Sequence, residues 1–452
     1  MSHKIKYYST NLRAPEVSFR EALLRGIAPD GGLYMPRSVP ELTRKELESF
    51  TDREYYEIAF VILNKFLKNE IGYKDLMSLC RDAYNFSVPL EHVADDCYIL
   101  RLDQGPTASF KDFAVRMMAR LMNYFIVPEQ SHYTILTATS GDTGSAVASA
   151  FHGFKHIDVI ILFPLDEVSE TQRKQMTTLK GNISVVAVKG KFDDCQRIVK
   201  RAFADEAFRD LSLSSANSIN IGRLLPQSVY YAWAWSRSGR KPVVFSVPSG
   251  NYGNLMGGLI AREMGLPVEK FVISANENNE VPEYLRTGIY RIISPSLNCI
   301  SSAMNVGHPS NMARIIALYG GVMNEKGEIL RSPDLGRMQD DFYGISVSDQ
   351  VTRETIFSGY NDHRVLLEPH GAVAWKGLQH FLSGKSPEEL NGRVFISLET
   401  AHPAKFPAEI RRILNFMPEA PPSLSKLAEI DEEYLTIEND YNSFREYIQK
   451  TH

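Results

Sequence analysis

The sequence predicts an α/β protein built on parallel sheets with flanking helices, preceded by a small, mainly helical N-terminal domain. Three observations predict it. From Cys97 to about Leu398, short Val- and Ile-rich runs alternate with stretches of helical period, the signature of repeated strand-helix units. Two of the strand-to-helix junctions are Gly-rich. Residues 1–95, by contrast, carry helical spacing at 18–24, 41–50 and 55–66 and only one marked turn, Pro29-Asp30-Gly31-Gly32.

Taken in order, the alternation begins with a strand over 98–102 and a helix over 112–124. Strands at 133–138, 157–163 and 183–188 follow, separated by helices at 146–151 and 170–179 and closed by a long helix over 193–208. A second set has strands at 243–247, 271–275 and 394–398. Such units give parallel strands with helices on both faces, and ligands sit beyond the strands' carboxyl ends. The tail from about Leu424 is acidic and carries a terminal helix over 442–448, read as a solvated packing element. No internal repeat or low-complexity segment interrupts the chain.

Composition narrows the function. At 452 residues, two or three domains are expected. Lys and Arg number 50 against 54 Asp and Glu, a net charge of -4 with no basic block, so no nucleic-acid partner is expected. Cys80, Cys97, Cys195 and Cys299 are too scattered for a disulfide framework and read as reduced thiols of a cytoplasmic protein. No apolar run approaches the roughly 20 residues that span a bilayer, and no signal peptide is evident. None of the 11 His falls in a metal-binding spacing, so no metal is expected.

The chemistry centres on Lys111, in the run Gly105-Pro106-Thr107-Ala108-Ser109-Phe110-Lys111-Asp112-Phe113. An apolar setting disfavours an ammonium and leaves an amine able to condense with an aldehyde, which suggests pyridoxal phosphate. By itself the run reads as an ordinary turn with a surface lysine. Two cradles change that balance. Thr139-Ser140-Gly141-Asp142-Thr143-Gly144-Ser145 and Ser249-Gly250-Asn251-Tyr252-Gly253-Asn254 each join a strand to a helix, where backbone amides and the helix dipole favour an anion. One lysine with two anion sites suits a phosphorylated aldehyde and an anionic substrate.

These runs, in this order, resemble the threonine synthase family in its longer form. The likeness extends to Tyr7-Tyr8-Ser9-Thr10, Ala28-Pro29-Asp30-Gly31-Gly32-Leu33-Tyr34, Asn217-Ser218-Ile219-Asn220 with Arg223, and Thr400-Ala401-His402-Pro403-Ala404-Lys405-Phe406. The resemblance implies the two-domain pyridoxal-phosphate fold of the tryptophan synthase β type. It places a larger domain at 96–125 plus 241–420, a smaller one at 126–240, an N-terminal domain at 1–95 and a tail at 421–452. It also implies a lyase that turns O-phosphohomoserine into threonine and phosphate, as a monomer or homodimer.

By the same resemblance, Lys111 holds the cofactor as an imine and then moves protons. Ser249, Gly250, Asn251, Tyr252, Gly253 and Asn254 receive the cofactor phosphate; they are similar to the family's SGNFGN, with Tyr252 for Phe. Thr400 faces the pyridine nitrogen, where a hydroxyl cannot hold the ring protonated as a carboxylate would. Ser140, Gly141, Asp142 and Thr143 form the substrate carboxylate site; carboxylate repulsion assigns the contacts to Ser140, Thr143 and neighbouring amides. Asn217, Ser218, Asn220 and Arg223 offer donors for the substrate phosphate, although residue by residue they also read as a helix cap with a surface arginine. Lys405 and His402 are weaker candidates, and Pro309-Ser310-Asn311 matches the family without a role.

The family's lysine motif reads HGPTLAFKD, whereas this chain has Gln104 for the His and Ala108-Ser109 for Leu-Ala. That departure keeps open a phospholyase releasing a keto acid, ammonia and phosphate. A non-catalytic descendant is opposed by the retention of Lys111 with both cradles. A dehydrogenase ranks lower, since no strand is followed by GxGxxG and an acidic residue at the proper distance.

Overall fold

The computed structural model describes residues 4–451, organised around two parallel sheets. The larger sheet runs, edge to edge, Phe342–Ser346, Val268–Ala275, Val243–Pro248, Val394–Glu399, Cys97–Arg101 and Leu90–Ala94. All neighbours are parallel except Leu90–Ala94, which closes the edge antiparallel to Cys97–Arg101. The smaller sheet runs Leu435–Glu438, Ile183–Lys189, Ile157–Pro164, Tyr133–Ala138 and Leu213–Ser214, parallel throughout.

Strand side chains alternate between two faces, and the larger sheet uses both. Val244, Val272 and Phe395 pack with Trp375 and Leu378 of helix Pro369–Ser383. Val243, Phe245, Val247 and Phe271 belong to the opposite cluster, where Tyr231 meets Phe245 edge-on at 4.8 Å. Both faces being covered, the central strands read as mainly apolar runs, interrupted at Ser246, Ser397 and Glu399, and they are fully buried.

The N-terminal region shares that second cluster. Its antiparallel strand pair Tyr7–Ser9 with Tyr34–Pro36 and helices Phe19–Arg25, Tyr55–Leu67 and Tyr73–Ala83 pack on the catalytic part. Phe113 stands between Tyr55 (5.4 Å) and Tyr230 (5.5 Å), fixing helix Lys111–Ile126 from both sides.

Five features stand out as differing from the sequence reading. Helix Tyr73–Ala83 and strand Phe342–Ser346 were not anticipated. Strand Leu90–Ala94, assigned by sequence to the N-terminal domain, belongs to the larger sheet. Helix Ser228–Arg237, placed in the smaller domain, packs on Gly253–Glu263 of the larger one. The tail is more than a solvated packing element: Leu435–Glu438 extends the smaller sheet, and Tyr441, Phe444 and Ile448 join its core with Cys195 and Ile198. Only Ile437 of that four-residue strand is buried, so its sequence carries almost no strand signal.

Candidate active site

Lys111 is the first residue of its helix, and the turn before it is tightly constrained. Asp112 folds back to accept from the Thr107 amide (2.8 Å) and hydroxyl (2.8 Å). A Cβ on Gly105 would stand 2.4 Å from that carboxylate, so only glycine fits. The turn is stitched to the loop after Val394–Glu399: Phe110 donates to the Thr400 carbonyl at 2.8 Å and His402 to that of Ala108 at 3.0 Å.

Burial pulls the Lys111 amine down to about 8, with Arg223 and Lys405 pushing the same way and Asp142 and Glu368 opposing. The Asp142 carboxylate lies 3.8 Å from Lys111 Nζ but 2.7 Å from Lys405 Nζ. Gln172 also donates to it at 2.9 Å. Burial would raise this carboxyl, yet Lys405 and Lys111 together hold it well below the usual range. Asp142 is therefore a counter-ion facing Lys405 and Lys111, and its side chain is engaged by these and by Gln172.

Both Gly-rich runs open helices, Asp142–Phe151 and Gly253–Glu263, whose first-turn amides lack intrahelical partners. Gly141 has φ +126 and its missing Cβ makes room for Gln172. Tyr252 takes the left-handed conformation at φ 60. Asn254 Oδ1 accepts from Tyr230 (2.6 Å) and Tyr231 (2.7 Å), leaving its buried Nδ2 without a protein partner. Such an orphaned donor at a helix N-terminus fits a phosphate.

Arg223, 2 % exposed, donates from Nη1 to the Ala216 carbonyl at 2.6 Å, while its Nε has no partner. Among the described residues no carboxylate lies within ion-pair distance of it, and burial lowers its guanidinium to about 10. It is a buried cation without a carboxylate partner among the described residues. Ser218 Oγ accepts from Asn251 (2.8 Å) and Asn311 (3.1 Å), so its own proton is free to be donated.

One cleft gathers Lys111, Ser140, Asp142, Thr143, Asn217, Ser218, Arg223, Gly250, Asn251, Tyr252, Gly253, Asn254 and Thr400, around about 920 Å³ of space including its open mouth. Three expected residues are not in its lining. Gly141 shapes the loop from behind, and Ser249 donates to the Val247 carbonyl at 2.9 Å. Asn220 gives its amide to Leu23 and Ser215 carbonyls (2.8 and 3.0 Å) and accepts from Gly222 at 2.9 Å. It caps helix Ile221–Leu224 and has no group left for substrate.

Other lining residues escaped the sequence reading: Phe192, Gln196, Met304, Val306 and His370. His370 Nδ1 donates to Glu368 at 2.5 Å, while its Nε2 accepts the Ala303 amide at 3.0 Å, which fixes a neutral tautomer. The same Glu368 accepts from the Thr400 hydroxyl at 3.3 Å and from the His370 and Gly371 amides. Helix caps carry no catalytic signature, so this pair had no signal in sequence. Pro309-Ser310-Asn311 gains a structural account: Ser310 and Asn311 hold Asn251, and buried Arg314 binds the Ser218, Ile219 and Tyr34 carbonyls. Gln104 is exposed outside the cleft and donates to Asp103 at 2.9 Å.

Four cysteines are unpaired. Among the described residues, one trio with metal-ligand geometry exists, Glu277, Cys299 and Asp349, outside the cleft lining. No helix among them is long and apolar enough to cross a membrane.

The family model described as a pyridoxal-phosphate dependent enzyme matches residues 82–398, the stretch that holds Lys111 and both cradles. The chain is thus a pyridoxal-phosphate-dependent enzyme of the α/β type seen above. Models described as threonine synthase N terminus and threonine synthase, C-terminal match residues 6–84 and 372–448. Threonine synthase of Haemophilus influenzae is 38 % identical over 447 residues, covering 98 % of this chain and 99 % of its own. That of Escherichia coli is 37 % identical over 437 residues, covering 94 % and 95 %. The crystal structure of the Escherichia coli threonine synthase superposes with a TM-score of 0.88 at 34 % identity over 99 % of this chain and 100 % of that one. The pyridoxal-phosphate-bound threonine synthase of Brucella melitensis gives 0.89 at 33 % over 99 % of each. The chain belongs to the threonine synthase family.

Proposed function

We propose that this cleft converts O-phospho-L-homoserine and water to L-threonine and inorganic phosphate. The observation that carries the reading is the pairing of a largely buried amine of lowered proton affinity, Lys111, with a buried guanidinium that has no carboxylate partner among the described residues, Arg223, in one cleft. When bound, pyridoxal phosphate supplies the electron sink for the carbanions of the reaction.

Lys111 holds the cofactor and then serves as base at Cα and Cβ and as acid at Cγ, steps suited to an amine that titrates near 8. Asn254 Nδ2 and the amides of 250–254 receive the cofactor phosphate, and Thr400, oriented by Glu368, faces the ring nitrogen. Ser140, Thr143 and the first amides of helix Asp142–Phe151 take the substrate carboxylate. Arg223, Asn217 and the Ser218 proton take the substrate phosphate, where a fork-shaped cation stabilises the charge that leaves with it. The position of Gln104 outside the cleft removes the motive for the phospholyase alternative.

The test is an assay of the purified, cofactor-loaded protein with O-phosphohomoserine, following phosphate, threonine and 2-oxobutyrate together. Threonine equal to phosphate supports the reading. Phosphate matched by 2-oxobutyrate would replace it with the phospholyase.

A further inference from the structure

We propose that Lys405 is a positioning residue that acts through Asp142 to keep the Lys111 amine available as a free base. Lys405 is fully buried, and its ammonium joins three segments at one point. It sits on the loop leaving the Val394–Glu399 strand of the larger sheet. It donates to the Thr107 carbonyl of the lysine turn at 2.9 Å and to Asp142 Oδ1, at the start of a helix of the smaller sheet, at 2.7 Å.

The distances show how the carboxylate is shared. Oδ1 takes both strong donors, Lys405 and Gln172, whereas Oδ2 stands 3.8 Å from Lys111, beyond hydrogen-bond reach. The close contacts of Asp142 are thus made without Lys111, which adds only a longer-range attraction. A buried carboxylate cannot remain unpaired, so without Lys405 it would draw in the remaining ammonium, Lys111. That ammonium could neither condense with an aldehyde nor accept a proton.

The charged groups facing Lys111 are Asp142 and Glu368 on the acidic side, and Arg223 and Lys405 on the basic side. Loss of Lys405 removes a repelling cation and releases an attracting anion, two changes of the same sign. Loss of the Asp142 carboxylate has the opposite sign. The proposal rests on the reading above only in taking Lys111 as the amine that captures the cofactor.

The experiment follows covalent capture of pyridoxal phosphate by the apoprotein, from visible absorbance, as a function of pH and without amino-acid substrate. The native chain should show a midpoint near 8. Lys405→Met should move it up by about one pH unit, Asp142→Asn should move it down, and Lys405→Arg should leave it within about 0.3. Lys405→Gln, which keeps a donor for Thr107 and Asp142 without the charge, should repeat the upward shift and serves if the Met variant does not fold. A purely structural lysine would give slower capture or lower stability with an unmoved midpoint in both uncharged variants, and that overturns the proposal. Because substrate is absent, an error in the substrate assignment leaves the test intact, while capture retained in Lys111→Ala would instead refute the role of Lys111.

Discussion

Replacing Arg223 by Met separates function from stability in opposite directions. Burial lowers the guanidinium from 12.5 to about 10, which at 1.36 kcal/mol per pH unit amounts to a desolvation cost of about 3 kcal/mol. Methionine removes that cost, keeps most of the aliphatic stem, and leaves the Ala216 carbonyl without its donor, a loss of about 1 kcal/mol. The cofactor-free variant should therefore be as stable as the native chain or more stable by about 1–2 kcal/mol. Its kcat/KM with O-phosphohomoserine should fall at least about 100-fold, because a charge-assisted contact to the leaving phosphate is gone. Urea unfolding followed by tryptophan fluorescence, alongside steady-state kinetics, reads both quantities. Inorganic phosphate should raise the unfolding midpoint of the native chain more than that of the variant. A variant that loses stability and keeps its kcat/KM would refute the view of Arg223 as a cation held for substrate.

Three other substitutions test the remaining parts. Lys111→Ala should abolish covalent cofactor capture and turnover together, with no loss of stability in the cofactor-free chain, since a buried amine of lowered proton affinity is itself a cost; absorbance and thermal unfolding check both. Asn254→Asp keeps the acceptor for Tyr230 and Tyr231 but turns the free donor into a negative charge, and cofactor titration should show at least about a 100-fold weaker Kd. Asn220→Ala strands two carbonyls and one amide in the interior, so urea unfolding should show a loss of about 2–4 kcal/mol with KM unchanged; a raised KM at native stability would restore it to the substrate site.

The residues that the sequence makes legible are those whose backbone needs and chemistry coincide. The 249–254 run follows a buried strand, and both it and the turn before Lys111 use glycine where no Cβ fits, so composition marks them directly. The core strands at 243–248 and 394–399 are equally visible, being buried on both faces. What the sequence hides is the pairing of distant groups. Asn217, Ser218, Asn220 and Arg223 look alike as a polar cluster. The fold separates them, spending Asn220 on the helix cap and burying Arg223, which alone reads as a surface residue. Glu368 appears as the residue before a proline, and its approach to Thr400 and His370 exists only once two elements meet. Lys405 reads only as a weaker candidate for the site until Asp142 is brought against it. The tail misleads because one inward side chain per strand gives no period to detect.

The most direct test is the reaction of the cofactor-loaded protein with O-phosphohomoserine in water enriched in oxygen-18, with both products analysed by mass spectrometry. Elimination of phosphate followed by addition of water at Cβ predicts one labelled oxygen in the hydroxyl of threonine and none in the phosphate. Labelled phosphate without labelled threonine would mean cleavage of the phosphorus–oxygen bond, and would contradict the assignment of Lys111 and Arg223 to elimination.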